Sequence, residues 1–132
     1  MPATPLPGSL GRILLAEDDE SVRNIALRVL ERAGYDVVVA TNGAEGLDAL
    51  RQASPPIPLI LSDILMPEMD GIELAIRAQT EFPHIRIVLM TGFSEISKDR
   101  ERSKGLCEAI LGKPFIPTEL LETLRQAATR PD

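Results

Sequence analysis

RILLAEDDESVRNIALRVLERAGYDVVVA, residues 12–40, holds two short apolar runs on either side of a helical pattern. The run at 13–16 (ILLA) has the length of a buried strand. Behind it Val22, Ile25, Ala26, Val29, Leu30 and Ala33 fall at i, i+3, i+4, i+7, i+8 and i+11, which is one face of a helix. Gly34 stops that helix, because glycine takes the left-handed conformation of a helix end without strain. Residues 35–40 (YDVVVA) are β-branched and strand-like. Strand, helix and strand in this order make one right-handed βαβ unit with parallel strands.

The alternation continues outward. Ala44, Leu47 and Leu50 suggest a short second helix, and Pro55, Pro56 and Pro58 make a stiff loop before a third strand at 59–62. Residues 70–82 are helical and end before Pro83, and 85–90 is an apolar strand. A helix is expected at 95–104 and a short strand at 109–111. A last helix opens at Pro117, with Leu120, Leu121, Leu124 and Ala128 expected on its buried face. Five strands alternating with five helices predict an α/β fold with a parallel sheet covered on both faces. Such sheets place ligand sites at the carboxyl ends of their strands, near the switch in strand order.

Composition sets outer bounds. The 132 residues, 44% hydrophobic and 26% charged, suit one soluble domain. A domain of this size buries roughly 65–70% of its unfolded surface and folds without disulfide or structural metal. Residues 1–11, rich in proline and glycine, are expected to be a disordered leader or linker, and 12–129 the domain, with no room for a fused DNA-binding or catalytic domain. The net charge of −6 argues against direct nucleic-acid binding, which needs a basic surface. Aromatics at 3% disfavour base stacking. The longest apolar runs are far too short to span a membrane, and the start of the chain lacks the pattern of a signal peptide. The lone Cys107 excludes a disulfide within the chain and suits a reducing cytoplasm.

The chemistry gathers at the strand ends. Glu17, Asp18, Asp19 and Glu20 follow the first strand, Asp63 the third, Thr91 and Gly92 the fourth, Lys113 the fifth. Taken singly, each has a plain structural reading: acids favour a helix start, an aspartate caps a turn, a lysine is a surface charge. Taken together they put at least three carboxylates, a hydroxyl and an ammonium on one rim. Clustered carboxylates repel unless a cation neutralises them, and an all-oxygen set of this kind suits Mg²⁺. Lys113 and Thr91 could bind phosphoryl oxygens, and Asp63 could act as a nucleophile forming an acyl phosphate. A phosphohydrolase of the haloacid dehalogenase type would need a second acid two residues after the nucleophile, where Leu65 stands instead.

The segments ILLAEDDESVR at 13–23, LILSDILMPEMDG at 59–71, IVLMTG at 87–92 and LGKPF at 111–115 resemble the receiver domain of two-component response regulators. The resemblance runs from about Arg12 to Ala128, and the stretch from Asp63 to Gly71 is its most specific part. It implies a (βα)5 doubly wound, flavodoxin-like (CheY-like) fold with strand order 2-1-3-4-5. It implies Mg²⁺ held by Glu17, Asp18, Asp63 and the backbone carbonyl of Leu65, with Asp63 phosphorylated from a phosphohistidine. Thr91 matches the switch hydroxyl and Lys113 the lysine that pairs with the phosphoryl group, its bond to Pro114 usually cis. The implied partners are a histidine kinase or a histidine phosphotransfer protein, an output partner unknown, and a homodimer through the face of the fourth helix, fifth strand and fifth helix. Either a stand-alone regulator or the receiver of a hybrid histidine kinase fits. A pseudo-receiver that keeps the fold as an interaction module without phosphorylation is the alternative. His84 reads as a polar loop residue, and Met66 and Met69 as packing groups, since thioether sulfur is too soft for Mg²⁺.

Three departures from the family pattern stand out. The aromatic usual three residues before the lysine is Ile110, stiff at χ1, so the signal is expected to travel differently or weakly. Residues 95–104 (EISKDRERSK) carry seven charges and one apolar anchor, Ile96, so this helix is expected to be loosely ordered and to tighten on phosphorylation. Leu65 and Phe93 stand where the family's side chains flank the attacking water, with the small Gly92 between Thr91 and Phe93 leaving room for the phosphoryl group. Two apolar groups there predict slow autodephosphorylation.

Overall fold

The computed structural model describes residues 11–92 and 95–129. Its elements alternate as expected: β1 (Gly11–Ala16), α1 (Glu20–Ala33), β2 (Tyr35–Ala40), α2 (Gly43–Gln52), β3 (Leu59–Asp63), α3 (Gly71–Glu81), β4 (Arg86–Gly92), α4 (Ile96–Arg102), β5 (Ala109–Lys113) and α5 (Pro117–Thr129). The strands form one sheet in the order β2-β1-β3-β4-β5, all neighbours parallel. The order reverses between β1 and β3, so the loops after those two strands diverge and leave a crevice between them.

The period of two along each strand sorts the core into two layers. Leu14 and Ala16 of β1 join Ile60, Ile87 and Leu89 with Leu47, Leu74 and Ala78 of α2 and α3. Ile13 and Leu15 join Leu61, Val88 and Met90 with Ala26, Leu30, Leu120 and Leu124 of α1 and α5. Buried on both faces, these strands are near-continuous apolar runs, as central parallel strands must be.

The helix ends follow their local chemistry. Asp19 caps α1, its carboxylate accepting from the Val22 amide at 3.0 Å, and Gly34 closes it at φ 107°. Asp70 caps α3 by accepting from the Glu73 amide at 2.8 Å. Gly71 is required by close approach: a Cβ there would lie 2.2 Å from the Asp63 carbonyl oxygen. The start of α3 is thereby pressed onto the end of β3.

Several expectations are corrected. Gly11 belongs to β1 and not to a leader, because its ladder with β2 begins at the Gly11–Tyr35 pair; the rest of that leader lies outside the described residues. Asp63, Thr91, Gly92 and Lys113 are the last residues of their strands rather than the residues after them, since the parallel ladder carries on to Asp63–Met90 and Gly92–Lys113. Ile25 is 56% exposed: the buried line of α1 runs through Ala26 and Leu30, and Ile25 is turned off it. On α5 the third buried position is Ala127 and not Ala128, at the i+7 spacing from Leu120. In α4 the half-buried Ile96 is not the anchor; Asp99 and the following Ser103 are the buried groups.

Candidate functional site

The carboxyl ends of β1, β3, β4 and β5 bring the expected residues to one rim. Glu17 extends the β1–β2 ladder by one bond, its amide donating to the Ala40 carbonyl at 3.0 Å, and its side chain is fully buried. Asp18 beside it is exposed. The Arg23 guanidinium reaches back from α1 to the carbonyls of Glu17 (3.0 Å) and Asp18 (3.3 Å), fixing the backbone that carries the two acids. Asp63 is buried at the end of β3. Carboxylate oxygens of Glu17, Asp18 and Asp63 lie within 4.8 Å of one another.

Lys113 bridges two of these acids. Its ammonium donates to Asp63 Oδ2 at 2.9 Å and to Glu17 Oε1 at 3.1 Å. Burial alone would lower the lysine's pKa, but the hydrogen bonds and charges of Asp63 and Glu17 outweigh it and raise the pKa. One ammonium does not balance the acids. Burial first, and then the hydrogen bond and charge of Asp63, push Glu17 up to about 8, against the partial relief from Lys113. Glu17 Oε2 is buried with no hydrogen-bond partner among the described residues. A buried carboxylate oxygen without a donor costs free energy, and a hard cation supplies what it lacks. The donors are oxygens only, they converge, and one of them is orphaned: the set fits Mg²⁺.

The remaining expected residues divide. Thr91 is buried at the end of β4, but its hydroxyl donates to Oδ2 of Asp99 on α4. Gly92 is exposed, and among the described residues other than its chain neighbours a Cβ there would meet no atom within 4 Å. Leu65, in the loop after β3, is 69% exposed. Phe93 lies outside the described residues. Ile110 is half-buried in β5, paired with Leu89 in the β4 register, on the layer beneath α2 and α3. The Lys113–Pro114 bond is cis.

One buried side chain at this rim was missed from the sequence. Asp99 is 4% exposed, with Oδ2 taking the Thr91 hydroxyl and Oδ1 taking an Arg102 guanidinium hydrogen at 3.1 Å. Its own carbonyl accepts from the Ser103 amide (2.9 Å) and hydroxyl (2.6 Å). The available signal was spacing: Asp99, Arg102 and Ser103 stand at i, i+3 and i+4 on one helix face. In a run of alternating charges that spacing does not distinguish a buried acid from an exposed one.

The response regulator receiver domain family matches residues 13–125. The chain is 40% identical over 115 residues to the response regulator receiver protein CpdR of Brucella abortus, covering 87% of this chain and 94% of that one. It is 32% identical over 130 residues to the sensor kinase CckA of the same organism, covering 98% of this chain but only 14% of the kinase. A CheY-like receiver domain protein from Methanospirillum hungatei superposes with a TM-score of 0.81 at 30% identity, covering 91% of this chain and 94% of that one.

Proposed function

Because the chain belongs to the response regulator receiver family of two-component signalling, we propose that it accepts a phosphoryl group on Asp63 from a phosphohistidine and switches partner binding in response. The single observation that carries this reading is the bridge of Lys113 across Asp63 and Glu17, with Glu17 Oε2 left open beside it. A nucleophilic carboxylate needs its charge held in place and its acceptor's charge neutralised, and this arrangement supplies both.

Asp63 uses one carboxylate oxygen to attack phosphorus. The phosphorus–nitrogen bond to the donor imidazole breaks as the acyl phosphate forms, and the imidazole, which carries a proton on its other ring nitrogen, leaves neutral with the electron pair of that bond. Lys113 is placed to hold the fixed oxygen of Asp63 and a phosphoryl oxygen through the transfer. Glu17, Asp18 and Asp63, with the Leu65 carbonyl, would hold Mg²⁺, which when bound neutralises phosphoryl charge. Exposed Gly92 puts no side chain in the approach, and Thr91 supplies the hydroxyl that turns to the phosphoryl group once formed. Exposed Leu65 offers no polar group to orient attacking water, so the acyl phosphate decays slowly. The donor is a histidine kinase or a histidine phosphotransfer protein, encountered at this rim.

Acetyl phosphate with Mg²⁺ tests the reading. The expected result is a hydroxylamine-sensitive phosphoryl adduct, absent without Mg²⁺ and absent in Asp63→Asn. An unlabelled wild-type chain would favour the pseudo-receiver alternative, and labelling that survives Asp63→Asn would move the acceptor elsewhere.

A further inference from the structure

The Thr91 hydroxyl does not face an open site; it is spent on Asp99. Three facts make this more than a passing contact. Both partners are buried, Thr91 at 2% and Asp99 at 4% exposure. The acid's second oxygen is held by Arg102, so the carboxylate is fixed in plane and aimed at Thr91. Asp99, in the middle of the seven-residue α4, and Ser103, at its C-cap, are its buried groups, and the N-cap Glu95 makes no side-chain cap bond among the described residues, so this polar cluster does the anchoring that apolar residues do in the other helices.

We propose that Asp99 is a latch on the switch hydroxyl: it holds Thr91 in the unphosphorylated orientation, and the turn of Thr91 toward a phosphoryl group on Asp63 strips Asp99 of its donor and frees α4. This rests on the reading of Asp63 and Thr91 given above and adds to it a positioning residue on α4 and a direction of signalling. A threonine hydroxyl has one hydrogen to donate. It can go to the Asp99 carboxylate or to a phosphoryl oxygen, not to both. The charge-assisted bond to Asp99 is a strong one, so it weighs against activation. When it breaks, a buried carboxylate oxygen loses its partner, and the cheapest relief is for Asp99 to move outward to water. The Asp99 carboxylate is tied to Arg102 and its carbonyl to Ser103 of the same helix, so the strain of an outward shift is passed to α4. Phosphorylation therefore loosens α4, the reverse of the tightening expected from its charge pattern alone.

Beryllofluoride with Mg²⁺, a stand-in for the phosphoryl group, gives the test. Asp99→Ala should bind it about tenfold more tightly than wild type, a difference of about 1.4 kcal/mol. In the Thr91→Ala background the same substitution should change nothing, since there is no hydroxyl to release. Asp99→Asn, which keeps an acceptor oxygen at the same reach, should lie between. Amides of α4 should lose hydrogen-exchange protection when wild type binds beryllofluoride. An Asp99→Ala protein that binds as wild type does or more weakly, or an effect of equal size with and without Thr91, overturns the latch. If Asp99→Ala does not fold, unchanged or increased α4 protection in wild type overturns it by itself. A wild type that acetyl phosphate labels while these results fail refutes the latch alone; a wild type that it does not label refutes the Asp63 reading and the latch together.

Discussion

Of the buried acids at this rim, Glu17 after β1 and Asp99 on α4 answer the cost of burial in opposite ways. Asp99 has a donor on each oxygen, Thr91 on one and Arg102 on the other. Glu17 has Lys113 on one oxygen and, among the described residues, no donor on the other. Burying an unpaired charge is far costlier than burying a paired one, so the two sites differ in kind. The Asp99 cluster is closed and defines a shape. The Glu17 cluster keeps a carboxylate oxygen open to a cation.

Lys113→Ala opens that cluster further and should give the largest effect. It removes the cation that Glu17 and Asp63 share. Metal-free stability should fall by about 2–4 kcal/mol, as for breaking a buried ion pair, and acetyl phosphate labelling should fall by about 10²-fold or more. Mg²⁺ should restore much of the stability. Urea melts with and without Mg²⁺ check this; equal losses in both would mean that the acids are not short of a cation.

Glu17→Gln goes the other way. It removes the orphaned anionic oxygen and should weaken Mg²⁺ binding by at least about tenfold. Above neutral pH the metal-free chain should become more stable, by about 1–3 kcal/mol, because no charge is then buried. A variant that loses Mg²⁺ affinity and gains metal-free stability separates a ligand position from a structural one. The corresponding change at Asp99 should cost stability.

The wild type carries a weaker version of the same test in its pH dependence. The folded Glu17 pKa is raised from 4.5 to about 8. Between these values the unfolded chain has released the proton and the folded chain has kept it. Linkage then requires metal-free stability to fall as pH rises through this window: the contribution is whole below 4.5 and gone above 8. Mg²⁺ binding expels that proton, so its apparent affinity should rise with pH over the same range. Urea midpoints at pH 5 and pH 8, with and without Mg²⁺, read both signs. A metal-free midpoint that rises with pH would place Glu17 in its ionised form and remove the contrast with Asp99.

The open site was legible in the sequence and the closed one was not, for a physical reason. Glu17, Asp63 and Lys113 each end a short apolar strand, and parallel topology alone sends strand ends to one rim. Their meeting thus follows from period and order, which a sequence displays. The same periods located all five strands and erred only at their ends, where ladder bonds run past the apolar run to Asp63 and Lys113. Asp99 is buried by its partners rather than by its own hydrophobicity. Thr91 reaches it from another element, and no pattern within EISKDRERSK distinguishes its side chain from the exposed Glu101 two residues on. Likewise Ile25 and Ala128 fit an apolar face by spacing, yet the buried lines of α1 and α5 pass beside them.

Ile110→Tyr should have the smallest effect, and it bears on where the contrast between the two acids matters. Ile110 is half-buried in β5, against the layer that holds Ile87 and Leu89, with Leu106 and Cys107 packed nearby. Isoleucine is confined at χ1, so it offers no second position for a moving Thr91 to select. A larger ring at a partly exposed site should cost no more than about 1–2 kcal/mol. If the turn of Thr91 is opposed by Asp99, beryllofluoride affinity should stay within about threefold of wild type, well short of the tenfold that one lost strong contact would give. The double variant should then differ from Asp99→Ala only by the same small factor that Ile110→Tyr gives alone, because substitutions that share no partner add. A tenfold change from Ile110→Tyr alone, or a double variant that departs from additivity, would mean that β5 and not α4 carries the coupling. Asp99 would then be a structural acid that happens to touch the switch.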